Sequence, residues 1–286
     1  MILSVENYTL RHLFGEFPAL EMIKAAGFDS IDYSFYFTPE DAPILGDDLH
    51  QYAANVRRKL DELGLSCLQA HAPFALRYGE ALDESEPHYR DIVRSLEAAS
   101  ILGVKQIVVH SLRVPEGVDP EEFNIGFYRT FTPYCEKFGI QIAVENLFER
   151  QESQTGLFKG RLASPASLCR VVKALDPRCF TACIDVAHAA ITGTAPEDFI
   201  RGMEPGVLSC LHIHDTDLVD DIHTLPYLGR LNWSAILSAL KDYGYDGELN
   251  FEIIGYLNAL PKEAQSSALE LAAKVGRKMI CDWENA

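Results

Sequence analysis

Acidic and histidine side chains recur at the ends of short apolar segments in this chain. In the segment 180–188, F-T-A-C-I-D-V-A-H, an apolar run leads into Asp185, and His188 follows three residues later. A carboxylate and an imidazole at the end of a strand are suitable ligands for a divalent metal. The same kinds of residue follow other apolar segments: His71, His110, Glu145, His212, His214, Asp221, His223 and Glu252. The pattern indicates metal-assisted chemistry if the fold gathers these positions.

Eight short apolar runs alternate with segments of helical period. The predicted strands span 2–5, 30–35, 65–71, 106–110, 140–145, 180–185, 208–212 and 248–253. The predicted helices span 16–26, 48–63, 86–102, 120–138, 164–175, 196–201, 233–243 and 262–280. Eight strand–helix units without a linker predict an α/β fold, a single-domain (β/α)₈ TIM barrel over residues 1–286. A doubly wound open sheet is the alternative, but the Gly-rich first turn typical of that fold is absent.

A barrel places its chemistry at the carboxyl ends of the strands. Six of the nine histidines lie there, and the other three are His12, His50 and His88. Glu145 and Glu252 end apolar strands, where a carboxylate must be paired, protonated or bound to a metal. Four ligands from strands five to eight would suit Mn²⁺, Mg²⁺, Co²⁺ or Zn²⁺. No cysteine is among them, which disfavours a structural zinc site.

Individual residues of this set also have ordinary structural interpretations. His71 could cap a carbonyl in a turn, and His110 could be a buried, hydrogen-bonded core residue. His212 and His214 are two residues apart and therefore share one face of a strand. We expect His212 to be the ligand and His214 to contact the substrate or support a ligand.

Other polar and aromatic residues near the strand ends have weaker signals. Arg77, Arg113 and Arg150 follow strands three, four and five and could contact an anionic or hydroxyl-rich substrate, although loop arginines are usually just solvated. Trp233 follows a long polar loop and is predicted to anchor the start of a helix.

Composition excludes several classes of partner. The chain has 42 acidic and 25 basic residues and a formal charge of −17 at pH 7, which disfavours nucleic acids and anionic membranes. It has no apolar segment of membrane-spanning length and no secretory signal pattern, so we expect neither insertion nor secretion. The seven cysteines are scattered and form no C-x-x-C pair, which favours a reducing cytoplasm over a disulfide scaffold.

Taken together, these motifs resemble the xylose isomerase-like barrels, which include sugar phosphate isomerases and epimerases, ketose 3-epimerases and endonuclease IV. The resemblance runs through H-A-P-F (71–74), V-E-N-L (144–147), C-I-D-V-A-H (183–188), H-I-H-D (212–215) and F-E-I (251–253). It covers nearly the whole chain. It implies a soluble enzyme of carbohydrate metabolism that acts on a small carbohydrate, in some members as a homodimer or homotetramer.

The ketose 3-epimerases imply specific roles for the matching residues. Glu145, Asp185, His212 and Glu252 would hold one divalent metal, for example manganese. Glu145 and Glu252 would also be the catalytic acid–base pair, transferring a proton at the carbon next to a metal-bound carbonyl. His188 would contact a substrate oxygen, with His71, His110 and His214 as further substrate contacts. The family's arginine after the seventh-strand histidine has no clear counterpart, because I-H-D-T-D-L-V-D-D follows His212.

Endonuclease IV offers another assignment of the same residues. Its three-zinc site uses nine ligands, and each has a counterpart here: His71, His110, Glu145, Asp185, His188, His212, Asp221, His223 and Glu252. The charge of −17 opposes that function, since a nuclease must approach a polyanion. A metal-dependent lyase or dehydratase acting on a polyol or cyclitol-like substrate is a further alternative. A barrel that binds a ligand without catalysis is the last.

Overall fold

The computed structural model describes residues 1–36, 38, 42–149 and 159–285. Within these residues the strands are β1 (Ile2–Glu6), β2 (Ser30–Ser34), β3 (Ser66–His71), β4 (Gln106–Val109), β5 (Gln141–Glu145), β6 (Leu147–Glu149), β7 (Lys159–Arg161), β8 (Phe180–Asp185), β9 (Leu208–His212) and β10 (Glu248–Phe251). In this part of the chain, no helix combines the length and the apolar character needed to cross a membrane.

The helices alternate with the strands. They are α1 (Tyr8–Phe14), α2 (Glu16–Ala26), α3 (Leu49–Leu63), α4 (Pro87–Leu102), α5 (Pro120–Arg129), α6 (Thr132–Phe138), α7 (Pro165–Lys173), α8 (Val186–Ile191), α9 (Pro196–Arg201), α10 (Trp233–Tyr243), α11 (Ile254–Asn258) and α12 (Gln265–Asn285), with a 3₁₀ turn at Lys262–Ala264. Most predicted elements are confirmed to within a few residues.

Eight parallel strands form the barrel in the order β10-β1-β2-β3-β4-β5-β8-β9. The remaining seam, between β9 and β10, is closed by a parallel bridge between Ile213 and Phe251. There Ile213 N donates to Asn250 O at 2.8 Å and Glu252 N donates to Ile213 O at 3.1 Å. The predicted (β/α)₈ barrel is therefore confirmed. β6 and β7 pair separately as an antiparallel ribbon outside it.

The helices bury one face against the barrel. In α3 the buried residues Leu49, Ala53, Val56 and Leu60 recur every three or four positions, which is the spacing of one helical face. Gly64 then ends the helix in the left-handed conformation, where a residue without Cβ is favoured. Helix faces of this kind cover the outer side of the sheet and fix the direction in which each strand ends.

One predicted helix is wrong in extent. The span 120–138 is two helices that separate at Thr130 and Phe131, and Pro133 lies in the first turn of the second. Proline disfavours helical backbone in the residue before it and supplies no N–H to a preceding turn, but it fits a helix start. The short helices α1, α8 and α11 were not predicted.

The long loop after β9 is anchored on a buried carboxylate. Asp215 accepts hydrogen bonds from Trp233 Nε1 at 2.8 Å and from the backbone N–H groups of Thr216, Tyr227 and Leu231 at 2.9, 3.0 and 3.1 Å. Trp233 is 2% exposed, so its predicted structural role is confirmed. A Cβ at Gly229 would lie 2.3 Å from Asp215 Oδ1, which shows how closely the loop wraps this side chain.

Asp215→Ala is expected to lower the free energy of unfolding by about 2–4 kcal/mol, because several buried N–H donors would lose their acceptor. Urea denaturation monitored by circular dichroism measures the change. Asp242, exposed on α10, provides the matched control: Asp242→Ala should stay within about 0.5 kcal/mol of the wild type. Equal stability of the two variants would contradict the anchoring role.

Candidate metal and catalytic site

The carboxyl ends of the barrel strands meet at one mouth of the barrel. The sheet register pairs Asp185 with His212 across β8 and β9 and pairs Glu145 with Cys183 across β5 and β8. β3 ends at His71, and Glu252 follows the last residue of β10. Parallel pairing thus brings together residues that lie far apart along the chain.

Glu145 lies at the centre of the histidine cluster and is 1% exposed. Its Oε1 atom is 3.0 Å from His212 Nδ1 and 3.4 Å from His188 Nδ1. Its Oε2 atom is 3.0 Å from His110 Nε2 and 3.9 Å from His71 Nε2. One carboxylate is therefore shared by histidines from four different parts of the barrel.

Asp185 is held rigidly at the start of α8. Its backbone N–H donates to Asn146 Oδ1 at 2.8 Å, and Asn146 Nδ2 donates back to its carbonyl at 2.9 Å. Asp185 Oδ1 accepts the His188 backbone N–H at 2.8 Å and so caps the helix. Its other oxygen lies 2.9 Å from His214 Nε2. The carboxylate is thereby aimed between His188 and His214.

The loop after β9 supplies a second acidic and histidine pair. Asp221 Oδ2 lies 2.9 Å from His223 Nε2 and 3.5 Å from His188 Nε2. Asp221 Oδ1 lies 3.7 Å from His214 Nε2. The rings of His214 and His223 stack with their centroids 3.9 Å apart. The anchor at Asp215 therefore positions a cluster that joins the loop to β8 and β9.

Glu252 approaches the same histidines from the opposite seam of the barrel. Its Oε2 atom is 3.4 Å from His212 Nδ1 and 3.7 Å from His223 Nδ1. On its other side, His212 Nε2 faces Asp32 Oδ2 at 3.8 Å. Asp32 Oδ2 accepts from Asn250 Nδ2 at 2.7 Å and from Gln69 Nε2 at 3.1 Å. Buried polar groups thus support His212 from below.

Carboxylates and imidazoles shift each other's pKa values in this cluster. Burial alone would raise the pKa of Glu145, but the charge of His212 and hydrogen bonds from His110 and His188 hold it well below its usual range. Burial opposes the charged form of His188, but Asp185 and Asp221 raise its pKa well above the ordinary value. The balance favours ionised carboxylates beside a protonated imidazole.

The other imidazoles divide into two groups. The pKa of His223 is raised to about 10 because the Asp221 carboxylate outweighs the effect of burial. For His212, burial is outweighed by the Cys183 sulfur and by the carboxylates of Glu252 and Glu145, and its pKa also lies well above the ordinary value. In contrast, burial and the neighbouring His110 hold the pKa of His71 well below 6.5. His71 is therefore neutral at pH 7.

A cavity of about 440 Å³ opens onto this cluster. Its walls include Glu145 and Glu252, together with Tyr36, His71, His110, His188, Asp221 and His223. A larger cavity of about 850 Å³ lies beside it and shares Arg161, but no histidine is among the described residues that line it. The smaller cavity is therefore the candidate site, because the titratable groups converge there.

Three overlapping sets of side chains place ligand atoms within 4.8 Å of one another. They are Glu145 with Asp185 and His188; His71 with His110 and Glu145; and His188 with His214, Asp221 and His223. Buried atoms of the site, namely His212 Nε2, His214 Nδ1 and Asp221 Oδ1, have no hydrogen-bond partner among the described residues. Carboxylate and imidazole donors left unsatisfied in this way fit a divalent metal.

All ten predicted site residues lie in this one region. Of the proposed four-ligand set, His212 contacts Glu145 and Glu252, whereas Asp185 pairs with His214. Neither His212 nor His214 is among the described residues lining the candidate cavity, so the choice between them as the ligand stays a prediction. Arg150 lies outside the described residues.

Several residues of the site were not predicted from the sequence. Tyr36 lines the cavity, and its hydroxyl donates to Glu6 Oε2 at 3.1 Å. Burial raises the pKa of Glu6 to about 7, despite the opposing hydrogen bond from the Tyr8 backbone. Glu6 ends the apolar first strand, so the same pattern that identified Glu145 could have found it. Arg161, on β7, also lines the cavity.

Comparison with known proteins agrees with the fold and with the placement of these residues. The family model described as xylose isomerase-like TIM barrel matches residues 20–275. The chain belongs to this family. The resemblance inferred from its motifs is therefore confirmed.

Members of the family similar to this chain include sugar epimerases and an isomerase. A 2-oxo-tetronate isomerase from Haemophilus influenzae is 26% identical over 255 residues, which are 85% of this chain and 90% of that protein. The structure of a D-tagatose 3-epimerase-like protein has a TM-score of 0.76 at 20% identity, covering 100% of this chain and 99% of that one. A 3-keto-D-glucoside 4-epimerase from E. coli has a TM-score of 0.69 at 19% identity, covering 96% and 99%. At these identities the two structures establish the shared fold.

Proposed function

We propose that this protein is a divalent-metal-dependent isomerase or epimerase of a small sugar or sugar derivative. The observation that carries the proposal is the position of two carboxylates. Glu145 and Glu252 both line the candidate cavity and approach the same atom, His212 Nδ1, at 3.0 and 3.4 Å. Two carboxylates that face one small cavity are suited to remove and return a proton.

Glu145, Asp185, Glu252 and one histidine of the His212–His214 pair would hold the metal. When bound, a divalent metal would polarise the substrate carbonyl and acidify the neighbouring C–H group. One of the two glutamates accepts the proton from that carbon. The other returns a proton to the opposite face, giving an epimer, or to the adjacent carbon, giving an aldose–ketose isomer.

The cavity walls orient the substrate and restrict water. Tyr36 and His188 offer polar atoms to substrate hydroxyls, while Phe74, Leu147 and Phe148 supply an apolar surface for the sugar carbons. His188 is fixed by Asn146 O, 3.0 Å from its Nδ1 atom. A fixed imidazole loses little entropy when it binds a hydroxyl, which favours recognition of one substrate geometry.

Solvent exchange tests this proposal directly. With metal present in D₂O, ketoses and keto sugar acids should acquire deuterium at the carbon next to the carbonyl, which mass spectrometry and NMR detect. Glu252→Gln should reduce that exchange by at least about 100-fold. Glu263→Gln, at an exposed position on the 3₁₀ turn, should retain it. Exchange unchanged in Glu252→Gln would contradict the acid–base role.

A nuclease of the endonuclease IV type is the second candidate, since three overlapping ligand sets are present. The charge of −17 opposes it. Metal analysis by inductively coupled plasma mass spectrometry separates the two: about one metal per chain fits the isomerase, and three zinc ions fit the nuclease. In the exchange experiment, loss of water from the substrate would instead identify a lyase or dehydratase, and an inert substrate a binding protein.

A further inference from the structure

A second cavity adjoins the candidate site and has an unusual lining. Its volume is about 280 Å³, and it shares Phe74, His110 and Arg161 with the cavity over the glutamates. Phe74 and His110 stack with their ring centroids 5.0 Å apart. A substrate bound at the glutamates could therefore extend past this pair into the second cavity.

The second cavity is positively charged in an otherwise acidic protein. Arg77, Arg113 and Arg161 line it, and no Asp or Glu is among its described lining residues. Glu149 offsets part of this charge, because it lies 3.4 Å from Arg113 Nε and 3.3 Å from Arg161 Nη1. The neighbouring 850 Å³ cavity differs, because its walls include Glu116, Glu121 and Glu149. Such a local positive field attracts anions that the whole chain, at −17, repels.

Arg161 is the residue that joins the two cavities. Its side chain is 14% exposed, and its Nε donates to Ser111 Oγ at 3.1 Å. Its Nη2 atom has no partner among the described residues. A largely buried guanidinium that keeps a free N–H edge toward a cavity can bind a carboxylate or phosphate in the bidentate manner.

We propose that the substrate carries an anionic group, a carboxylate or a phosphate, and that Arg161 binds it in the second cavity with help from Arg77 and Arg113. This inference rests on the proposed function and specifies its substrate class. Arg113 is 72% exposed and Arg77 is also exposed, so these two guide the anion inward while Arg161 fixes it. The anionic group would replace the interaction that a neutral ketose obtains from hydroxyls alone.

The test compares anionic and neutral probes on the metal-loaded protein. Isothermal titration is performed with a four-carbon aldonate, with the polyol of the same length and with inorganic phosphate, and kcat/KM is measured for a keto sugar acid, a ketose phosphate and the neutral ketose. The wild type should prefer the anionic compounds. Arg161→Gln should reduce that preference about 10–100-fold, and the exposed Arg77→Gln about threefold.

The controls separate the possible failures. Arg58→Gln, on the exposed face of α3, should keep the wild-type preference, and Arg161→Lys should restore only part of it. Equal loss for neutral and anionic probes in Arg161→Gln would mean a purely structural arginine and would overturn the proposal, as would a wild type without anion preference. Aldonate binding that depends on Arg161 without turnover of any probe would support the anion site and refute the isomerase. The aldonate and phosphate arms identify which anion the site accepts.

Discussion

Replacing Glu145 by glutamine is expected to reduce proton exchange by at least about 1,000-fold and to weaken metal binding by at least about 100-fold. The side chain lies within 4 Å of the nitrogens of four histidines, and it is the only residue common to two of the three ligand sets apart from His188 in the ligand sets found among the described residues. Glutamine keeps the shape but removes the charge and the proton acceptor.

The measurement pairs kinetics with metal content. Deuterium uptake reports the acid–base role, and equilibrium dialysis with Mn²⁺ or Zn²⁺ reports the ligand role. Glu136→Gln, at an exposed site on α6, is the matched control and should behave as the wild type. Circular dichroism confirms that each variant is folded. Exchange within tenfold of the wild type in folded Glu145→Gln would remove Glu145 from the mechanism.

The barrel was predictable because its signals are local. Each strand is a short apolar run, and helices such as α3 and α4 end at a glycine with positive φ, so periodicity and caps locate both ends. The site followed from one topological rule, that parallel strands of a barrel end at the same mouth. Glu145, Asp185 and Glu252 were found in this way without any knowledge of their contacts.

The remaining features depend on contacts that are remote in sequence. Arg161 reaches the cavity through the β6–β7 ribbon, whose three-residue strands are too short to show a period. Asp215 follows the histidine motif and could have been read as a ligand, but Trp233 and three backbone N–H groups surround it. The split between α5 and α6 was accessible, since Pro133 marks it. Packing and pairing decide such cases, and the sequence pattern alone does not.

The partners of His212 and His214 illustrate this limit. Strand alternation places both side chains on one face, but it does not tell which carboxylates each will meet. In the structure His212 lies between Glu145 and Glu252, and Asp32 supports it from below. His214 instead joins Asp185 to the loop cluster. The two histidines therefore serve different sides of the site, one beside the proposed acid–base pair and the other beside Asp221 and His223.

Metal binding is expected to strengthen steeply as the pH rises, because protons compete with the metal for the imidazoles. His188, His212 and His223 have raised pKa values, about 10 for His223, so these residues are protonated at pH 7 in the metal-free protein. A ligating imidazole must be neutral, and each one recruited therefore releases a proton. Release of two protons would raise the apparent affinity about 100-fold per pH unit between pH 6 and 8.

The number of protons released also identifies which ligand set binds the metal. A metal bound through His71 displaces no proton from that residue, because its pKa is lowered, whereas a metal bound through His188 and His223 displaces two. Isothermal titration of the stripped protein, in buffers of different ionisation enthalpy, counts these protons. His188→Gln should lower the count by one, and the exposed His50→Gln should leave it unchanged. An affinity that does not vary with pH would mean that the carboxylates bind the metal without these histidines, and that imidazolium groups remain as their partners.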